Sequence, residues 1–161
     1  MIDFRVCPAD AEPAATLVQG MRDDIAALYD GLDLDGPEMP KAGPGELGPP
    51  GGTFVVGFED GVPVCCGGLK RLDDAACEIK KMFVVEAARG RGVARALLEE
   101  LERQADALGY TIVRLDTGPR QTGAQRMYER AGYAAIANFN GNPVATFFGE
   151  KDLRRSALDG A

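Results

Sequence analysis

The chain has 161 residues, of which 45% are hydrophobic and 27% are charged, and its formal net charge is −7. The length predicts a single domain spanning residues 1–161. No apolar run reaches about eighteen residues, so no membrane span is predicted. The N-terminal sequence MIDFRVCPADAEP does not have the pattern of a signal peptide, which predicts a cytoplasmic protein. The acidic balance argues against nucleic-acid binding, and the absence of histidine excludes every Ser-His and Cys-His mechanism.

The first predicted elements are a strand and an amphipathic helix. IDFRVC, residues 2–7, alternates and is rich in β-formers, so it predicts a strand. Asp10 is placed to cap the next helix, whose first turn tolerates Pro13. Apolar residues then recur at i, i+3, i+4 and i+7, which predicts one buried helix face. This face consists of Ala14, Leu17, Val18, Met21, Ile25 and Leu28.

Residues 31–52, GLDLDGPEMPKAGPGELGPPGG, break all periodicity. Seven glycines and five prolines leave few residues that can pair or pack, so the segment predicts a long loop. Two interpretations stay open for this loop. It is either a disordered insertion or a mobile flap over a substrate site.

An antiparallel meander of three strands is predicted next. TFVVGFE (53–59), the turn Asp60-Gly61 and VPVCCGGL (62–69) have the pattern of a β-hairpin. A second turn at Asp73-Asp74 returns the chain into AACEIKKMFVV (75–85), which predicts the third strand.

Helices and strands alternate in the rest of the chain. A helical apolar stripe over residues 94–108 ends at Gly109, a glycine suited to the C′ position. TIVRLDT (111–117) predicts a strand, and Thr122-Gly-Ala-Gln125 has the capping-box pattern of a short helix that Gly132 closes. YAAIA (133–137) and VATFFGEKDL (144–153) predict two final strands. Helices that interleave with one mixed sheet define an α/β or α+β domain.

The four cysteines Cys7, Cys65, Cys66 and Cys77 form no Cys-x-x-Cys pair. Because no histidine is present to complete a zinc site, no metal site is predicted. Three of the four lie in apolar, strand-like runs, which favours buried free thiols over a catalytic nucleophile.

The stretch Arg89-Gly-Arg-Gly92 stands where a strand gives way to a helix. A helix N-terminus offers backbone N–H groups without intrahelical partners and about half a positive charge. Gly90 and Gly92 remove the Cβ atoms that would keep an anion away, and Arg89 and Arg91 add charge. The combination predicts a phosphate or pyrophosphate cradle, although neither a Rossmann G-x-G-x-x-G nor a Walker A sequence is present.

The sequence Arg89-Gly-Arg-Gly-Val-Ala94 resembles the Q/R-x-x-G-x-G/A signature of the GNAT superfamily of acyl-CoA-dependent N-acetyltransferases. AQRMYERAGY (124–133) resembles the family's A-x-x-x-Y-E-x-x-G-F/Y segment, and RLDTGPRQ (114–121) resembles a stretch of its small bacterial members. The resemblance covers residues 53–153 and includes the meander, whereas the N-terminal third shares only the order of strand and helix. It implies a mixed, mostly antiparallel central sheet flanked by helices, with a splayed strand pair.

The resemblance also implies acetyl-CoA as the co-substrate, without a metal. The backbone amides of the cradle would hold its pyrophosphate. The cradle residues are Arg89, Gly90, Arg91, Gly92, Val93 and Ala94. The strand edge at Met82, Phe83 and Val84 would pair with the pantetheine amides, at the gap between this strand and residues 111–117. Gln121 stands where many family members carry an asparagine and completes the candidate cofactor contacts.

Two residues are candidates for the proton transfers. Glu78, eleven residues before Arg89, stands where many family members carry a glutamate general base. Its structural alternative is a carboxylate paired with Lys80 or Lys81, and strand alternation puts Lys80 on the face of Glu78 unless a bulge intervenes. Tyr128 matches the family tyrosine proposed to protonate the departing thiolate, and its alternative is a core aromatic on a short helix.

The expected activity is direct transfer of an acetyl group from acetyl-CoA to a primary amine of a small molecule or peptide. A catalytically idle CoA-binding module, acting as a sensor or interaction protein, stays open as an alternative, and so does an O-acetyl or other acyl transferase. No nucleic-acid or membrane partner is expected, and a homodimer is left open. The first helix and the following loop carry seven carboxylates against Arg22 and Lys41, which predicts a small acceptor of positive or zero net charge.

Overall fold

The computed structural model describes residues 1–121 and 123–155. The strands in this part of the chain are β1 (Asp3–Val6), β2 (Thr53–Glu59), β3 (Val62–Arg71), β4 (Ala76–Val84), β5 (Ile112–Thr117), β6 (Ala134–Ala135) and β7 (Phe147–Asp152). The helices are α1 (Ala14–Leu28), α2 (Val93–Ala107) and α3 (Ala124–Arg130), together with a 3-10 helix at Glu86–Ala88. The strands form one sheet in the order β1-β2-β3-β4-β5-β7-β6.

The predicted meander of β2, β3 and β4 is confirmed, and its turns form for local reasons. Asp60 and Gly61 have φ angles of 51° and 78°, the left-handed pair that a two-residue hairpin turn requires. At the next turn, Asp73 Oδ1 accepts hydrogen bonds of 2.8 Å from the N–H groups of Ala75 and Ala76. The side chain therefore closes the turn that leads into β4.

β4 and β5 form the splayed strand pair. They are parallel, and their pairing runs from Ala76–Ile112 to Glu78–Arg114 and stops there, although both strands continue. Every other neighbouring pair in this sheet is antiparallel. The structure thus confirms a mixed, mostly antiparallel sheet that opens a gap between the ends of β4 and β5.

A β-bulge lies in β4 at Lys81. Cys66 of β3 faces Phe83, but Gly68 faces Lys80, so β4 has one extra residue between these pairs. Lys81 itself has a φ of 57°, which is uncommon for a residue with a Cβ. Because the bulge follows Lys80, this lysine stays on the same face of β4 as Glu78.

Helices cover both faces of the sheet. The buried stripe of α2 packs with Val55, Val113 and Tyr128 in one cluster, and α1 packs with Phe54 and Val56 in another. The stripe consists of Val93, Leu97, Leu98, Leu101 and Ala105. Alternate residues of β2 thus point to opposite layers. No helix in residues 1–121 and 123–155 combines the length and apolar character needed to cross a membrane.

Two predicted helix caps differ from the structure. α1 begins at Ala14 after Pro13 and has no side-chain cap, so Asp10 does not cap it. Instead the Glu12 carboxylate accepts hydrogen bonds from the N–H and the hydroxyl of Thr16, at 3.3 and 2.7 Å. The N-cap of α3 is Gly123, whereas the predicted cap Thr122 lies outside the described residues.

The last two strands are shorter than predicted because asparagines take the backbone N–H groups between them. Asn138 Oδ1 accepts from the N–H groups of residues 140 and 141, and Asn142 Oδ1 accepts from those of residues 144 and 145. These side-chain bonds stabilise turns in place of a strand ladder.

The loop of residues 31–52 has no helix or strand, but it packs onto the protein. Leu47 is 1% exposed and belongs to the cluster under α1. Asp35 forms an ion pair of 2.7 Å with Arg22 of α1, and Glu46 forms one of 3.2 Å with Lys70 of β3. The loop therefore lies against α1 and the sheet, where it can form a wall of a site.

Candidate active site

A cavity of about 350 Å³ opens at the gap between β4 and β5. Its walls come from α1, the loop of residues 31–52, the two strands, and residues 142–145. Met82, Gln121 and Tyr128 also line the cavity, so the structure brings three of the predicted site residues to it.

Tyr128 projects from α3 to β4. It is 8% exposed, and its hydroxyl donates a hydrogen bond of 3.7 Å to Met82 Sδ. Burial, together with the nearby Asp116 carboxylate, raises the pKa of Tyr128 to about 12. The phenol is therefore protonated throughout the neutral range and is a hydrogen-bond donor at the gap.

Glu78 lies in the part of β4 that still pairs with β5, and only 2% of it is exposed. Its Oε2 atom accepts hydrogen bonds from Lys80 Nζ at 3.4 Å and from Asn140 Nδ2 at 2.8 Å. The pairing with Lys80 that the strand alternation predicted is thus present. Ile79 and Lys80, the next residues of the strand, line the cavity, whereas Glu78 does not. Glu78 therefore has no direct contact with the cavity and could exchange a proton with it only through an intervening group.

Asp116 is a second carboxylate, and it lines the cavity directly. Its Oδ2 atom accepts from Asn140 Nδ2 at 2.7 Å and from Asn142 Nδ2 at 3.1 Å. The Asn140 amide therefore donates to both Glu78 and Asp116 and holds the two carboxylates in one cluster. The sequence analysis did not select Asp116, although a charged residue near the end of a strand at a splayed gap is a usable signal.

The cradle has the open backbone geometry that an anion needs. Gly90 and Gly92 have φ angles of 78° and 82°, and a Cβ added at either position would meet no atom within 4 Å. α2 begins at Val93, and the N–H groups of residues 93–95 donate no hydrogen bond within the described ranges. The space beside the glycines and the free N–H groups fit a pyrophosphate.

Both arginines of the cradle are engaged by other groups. Arg89 donates to the Val84 carbonyl at 2.9 Å and to Asp24 at 2.6 Å. Arg91 makes a two-bond pair with Glu59 at 3.0 and 2.8 Å. The attraction of the cradle for an anion therefore comes first from its backbone, and a bound phosphate competes with carboxylates for the two guanidinium groups.

The three candidate residues on the edge of β4 differ in orientation. Val85 donates its N–H to Val64 of β3 at 2.9 Å, so by alternation the backbone polar groups of Val84 face the gap. Met82 lines the cavity. Phe83 instead pairs with Cys66 of β3, and its ring lies 5.7 Å from the Arg89 guanidinium. The backbone of Phe83 is thus turned away from the gap, in contrast to the expected pairing with the cofactor.

Gln121 holds the loop between β5 and α3. Its Oε1 atom accepts a hydrogen bond of 2.9 Å from the Gly118 N–H and one of 3.5 Å from the Tyr29 hydroxyl. Tyr29 follows the end of α1, so Gln121 connects two walls of the cavity.

Basic side chains that the sequence analysis did not select line a second, open groove. Arg95 of α2 and Arg126 and Arg130 of α3 contribute to it, together with Gly123 and Met127. All three arginines are exposed. Arg95 forms an ion pair of 3.1 Å with Glu99, so most of the positive charge of this groove comes from Arg126 and Arg130.

Of the seven carboxylates that the first helix and the following loop carry, only Asp35 lines the cavity. Several of these carboxylates are paired with basic groups: Asp24 with Arg89, Asp30 with Arg120, Asp35 with Arg22 and Glu46 with Lys70. The charged side chains of the wall are Arg22, Lys41, Lys80 and Lys81 against Asp35 and Asp116. Within residues 1–121 and 123–155, no group of three or more His, Cys, Asp or Glu side chains is arranged to hold a metal.

Comparison with known proteins assigns the family. The profile of the Acetyltransferase (GNAT) family matches residues 20–133. The chain is 34% identical over 110 residues to the IAA acetyltransferase of Azospirillum brasilense, an alignment that covers 66% of this chain and 72% of that protein. The chain therefore belongs to the GNAT family and is an acyltransferase of this family.

Solved structures share the fold. A GNAT-family acetyltransferase from Staphylococcus aureus has a TM-score of 0.75 at 19% identity, over 95% of this chain and 99% of that one. A GNAT-family acetyltransferase from Elizabethkingia anophelis, solved with acetyl-CoA bound, has a TM-score of 0.66 at 16% identity, over 94% and 98% of the two chains. At these identities, the likeness establishes the common fold of the sheet and its helices.

Proposed function

We propose that the protein transfers an acetyl group from acetyl-CoA directly to a primary amine of a small molecule or peptide. The contact of the Tyr128 hydroxyl with Met82 Sδ carries this proposal, because it puts a protonated donor at the gap between β4 and β5. The cradle begins seven residues after Met82, and Asp116 lines the same cavity. A donor, a carboxylate and an anion site around one gap are the groups that acyl transfer from a phosphate-bearing thioester requires.

We assign the binding of acetyl-CoA to groups of the cradle, of the β4 edge and of the second groove. The N–H groups at the start of α2 and the open space beside Gly90 and Gly92 would hold its pyrophosphate. The N–H of Val84 would pair with the pantetheine arm in the gap, while its carbonyl accepts from Arg89. Arg95, Arg126 and Arg130 of the second groove would hold a further phosphate. When bound, acetyl-CoA supplies an acetyl group activated as a thioester.

A base must take one proton from the amine. An alkylamine has a reference pKa of about 10.4, so its neutral form at pH 7 costs roughly 4 to 5 kcal/mol. We assign proton acceptance to the cluster that Asn140 holds together, with Asp116 as the member on the cavity surface. Glu78 is its buried member and would act through a water molecule.

Tyr128 would donate to the departing sulfur. With a pKa of about 12, the phenol keeps its hydrogen while the thiolate forms. A hydrogen bond from this phenol to a developing negative charge stabilises by about 1.5 to 3 kcal/mol. Its present acceptor, the Met82 thioether, is weak and is readily exchanged for a stronger one.

The test is acceptor-dependent CoA release across a panel of amines, amino acids, polyamines, aminoglycosides and peptides, with mass spectrometry of the products. The proposal predicts CoA release that depends on one class of amine and yields the N-acetylated amine. Binding of acetyl-CoA without turnover on any acceptor would instead identify an idle CoA-binding module. Acetylation of hydroxyl groups alone would identify an O-acetyltransferase.

A further inference from the structure

The cations on the cavity wall differ in what they contact. Arg22 is paired with Asp35 at 2.7 Å, and Lys80 is paired with Glu78 at 3.4 Å. Lys41 donates to the carbonyl oxygens of Gly36 and Met39 in its own loop. Lys81, in contrast, makes no ion pair and donates no side-chain hydrogen bond within the described part of the chain.

The bulge in β4 accounts for the position of Lys81. A bulge redirects a strand side chain, and Lys81 occupies its extra position with a φ of 57°. Strained backbone conformations of this kind cluster at functional sites. The Lys81 side chain reaches the cavity wall and is half-buried there.

The surroundings of Lys81 disfavour its charge as long as no anion is present. Burial lowers the pKa of Lys81, and the positive charges of Arg22 and Lys80 lower it further, while Asp35 opposes them. Asp35 is already engaged by Arg22. An anion beside Lys81 would compensate both the burial and the two neighbouring cations.

We infer that the acceptor amine also carries a carboxylate, and that Lys81 binds this carboxylate as its counter-ion. The inference rests on the proposed function, because it specifies the acceptor of the same reaction. The sequence predicted an acceptor of positive or zero net charge. The inference narrows this class to amino carboxylates and excludes polyamines and other purely cationic amines as acceptors.

The rest of the wall defines the body of the acceptor. Most of the other residues around the cavity are apolar, among them Met21, Ile25, Leu32, Leu34, Leu115 and Val144. An amino carboxylate with an apolar side chain would place its body against these residues. The carboxylate would then reach Lys81 while the amine faces Asp116.

A base role for Lys81 is the competing hypothesis, since a lysine with a lowered pKa can accept a proton. Lys81→Arg separates the two roles, because arginine keeps the positive charge but does not act as a base. A counter-ion role predicts that Lys81→Arg retains most of the preference for carboxylates. A base role predicts that Lys81→Arg and Lys81→Met lose kcat alike.

The experiment compares acceptors that share one body. Kinetics are measured for L-leucine, L-leucinamide and isoamylamine, and for L-phenylalanine, L-phenylalaninamide and phenethylamine. The wild-type protein should prefer the acid of at least one series by about tenfold in kcat/KM, mainly through KM. The Lys81→Met variant should lose this preference for the acid, whereas the Lys81→Arg variant should retain most of it. Arg5→Met removes an exposed positive charge on β1, away from the cavity wall, and should leave the preference unchanged.

Two results would overturn the inference. One is an equal kcat/KM for acid and amide in both series, and the other is an equal loss of kcat/KM for the acid and the amine in the Lys81→Met variant. A binding measurement keeps this test independent of turnover. Calorimetry with N-acetyl-L-phenylalanine and its amide, in the presence of CoA, should show tighter binding of the acid that Lys81→Met abolishes. If no acceptor is turned over but the acid binds more tightly than the amide, the proposed function is wrong and the carboxylate site is supported. Equal binding of acid and amide would reject the site.

Discussion

The Tyr128 hydroxyl on α3 donates a hydrogen bond to Met82 Sδ on β4, at 3.7 Å. This contact crosses the gap that opens once β4 and β5 stop pairing at Glu78 and Arg114. It brings a residue of the short helix α3 to the strand that leads into the cradle. The proposed hydrogen-bond donor therefore lies where an acyl donor held by the cradle and an acceptor in the cavity would meet.

Replacement of Tyr128 by phenylalanine should lower turnover and spare cofactor binding. Loss of the donor should reduce kcat by about tenfold to a hundredfold, because its hydrogen bond to the developing thiolate stabilises by about 1.5 to 3 kcal/mol. The affinity for acetyl-CoA, measured by calorimetry, should stay within about threefold, because the pyrophosphate site is made by backbone groups. Tyr133→Phe is the matched control, since its hydroxyl bonds Glu102 at 2.8 Å and Tyr133 does not line the cavity. An unchanged kcat in Tyr128→Phe would make Tyr128 a core aromatic only.

The two carboxylates that Asn140 joins can be distinguished by pH dependence. Asp116→Asn and Glu78→Gln should each reduce the rate most at pH 6.5, where the amine is protonated, and less at pH 9.5, where part of it is neutral. We expect the larger effect for Asp116→Asn, because Asp116 lines the cavity. The measurement is the ratio of wild-type to variant kcat/KM across this range. A ratio that does not change with pH would assign that carboxylate a structural role.

Gly92→Asp tests the cradle. The added carboxylate would stand beside the N-terminus of α2 and should weaken acetyl-CoA binding by at least about tenfold, as measured by calorimetry. Gly109→Asp is the matched control, since Gly109 has a φ of 93° and equally open surroundings at the other end of the helix. The two variants share the backbone strain and the charge, so a similar affinity for both would contradict the assignment of the cradle.

Tyr128 should also affect stability at alkaline pH. Its pKa is raised from 10 to about 12 in the folded protein, so between these values the folded state holds a proton that the unfolded state has lost. Stability is therefore unaffected below pH 10 and falls as pH rises towards 12, by about 1.4 kcal/mol at pH 11. Urea unfolding at pH 8 and pH 11 should show a smaller loss for Tyr128→Phe than for the wild type. The same loss in both proteins would contradict the raised pKa.

Features set by neighbouring residues could be predicted from the sequence. The Asp60-Gly61 pair specifies its hairpin turn, and Gly109 ends α2, because these glycines take up conformations that other residues avoid. The glycines of the cradle were predicted for the same reason. Tyr128 was predicted from a motif whose first seven residues form α3.

Features that depend on distant segments could not be predicted in this way. Asn140 reaches both Glu78 and Asp116, which are 62 and 24 residues away in the chain, and its own sequence context indicates only a turn. The bulge at Lys81 appears only in the register of β4 against β3. The ion pairs that take up Asp24 and Asp35 likewise depend on the tertiary fold, so the count of acidic residues predicted the wrong charge for the cavity wall.

The most direct test of the account is to follow the acetyl group itself. The protein is incubated with acetyl-CoA deuterated in its acetyl group and with the best amine of the panel, and the products are analysed by mass spectrometry. The account predicts an N-acetylated amine that carries the intact labelled acetyl group and forms in equal amount with free CoA. The Gly92→Asp and Tyr128→Phe variants should form much less of this labelled product. Release of CoA without any labelled amine, or labelled amine formed equally well by both variants, would contradict it.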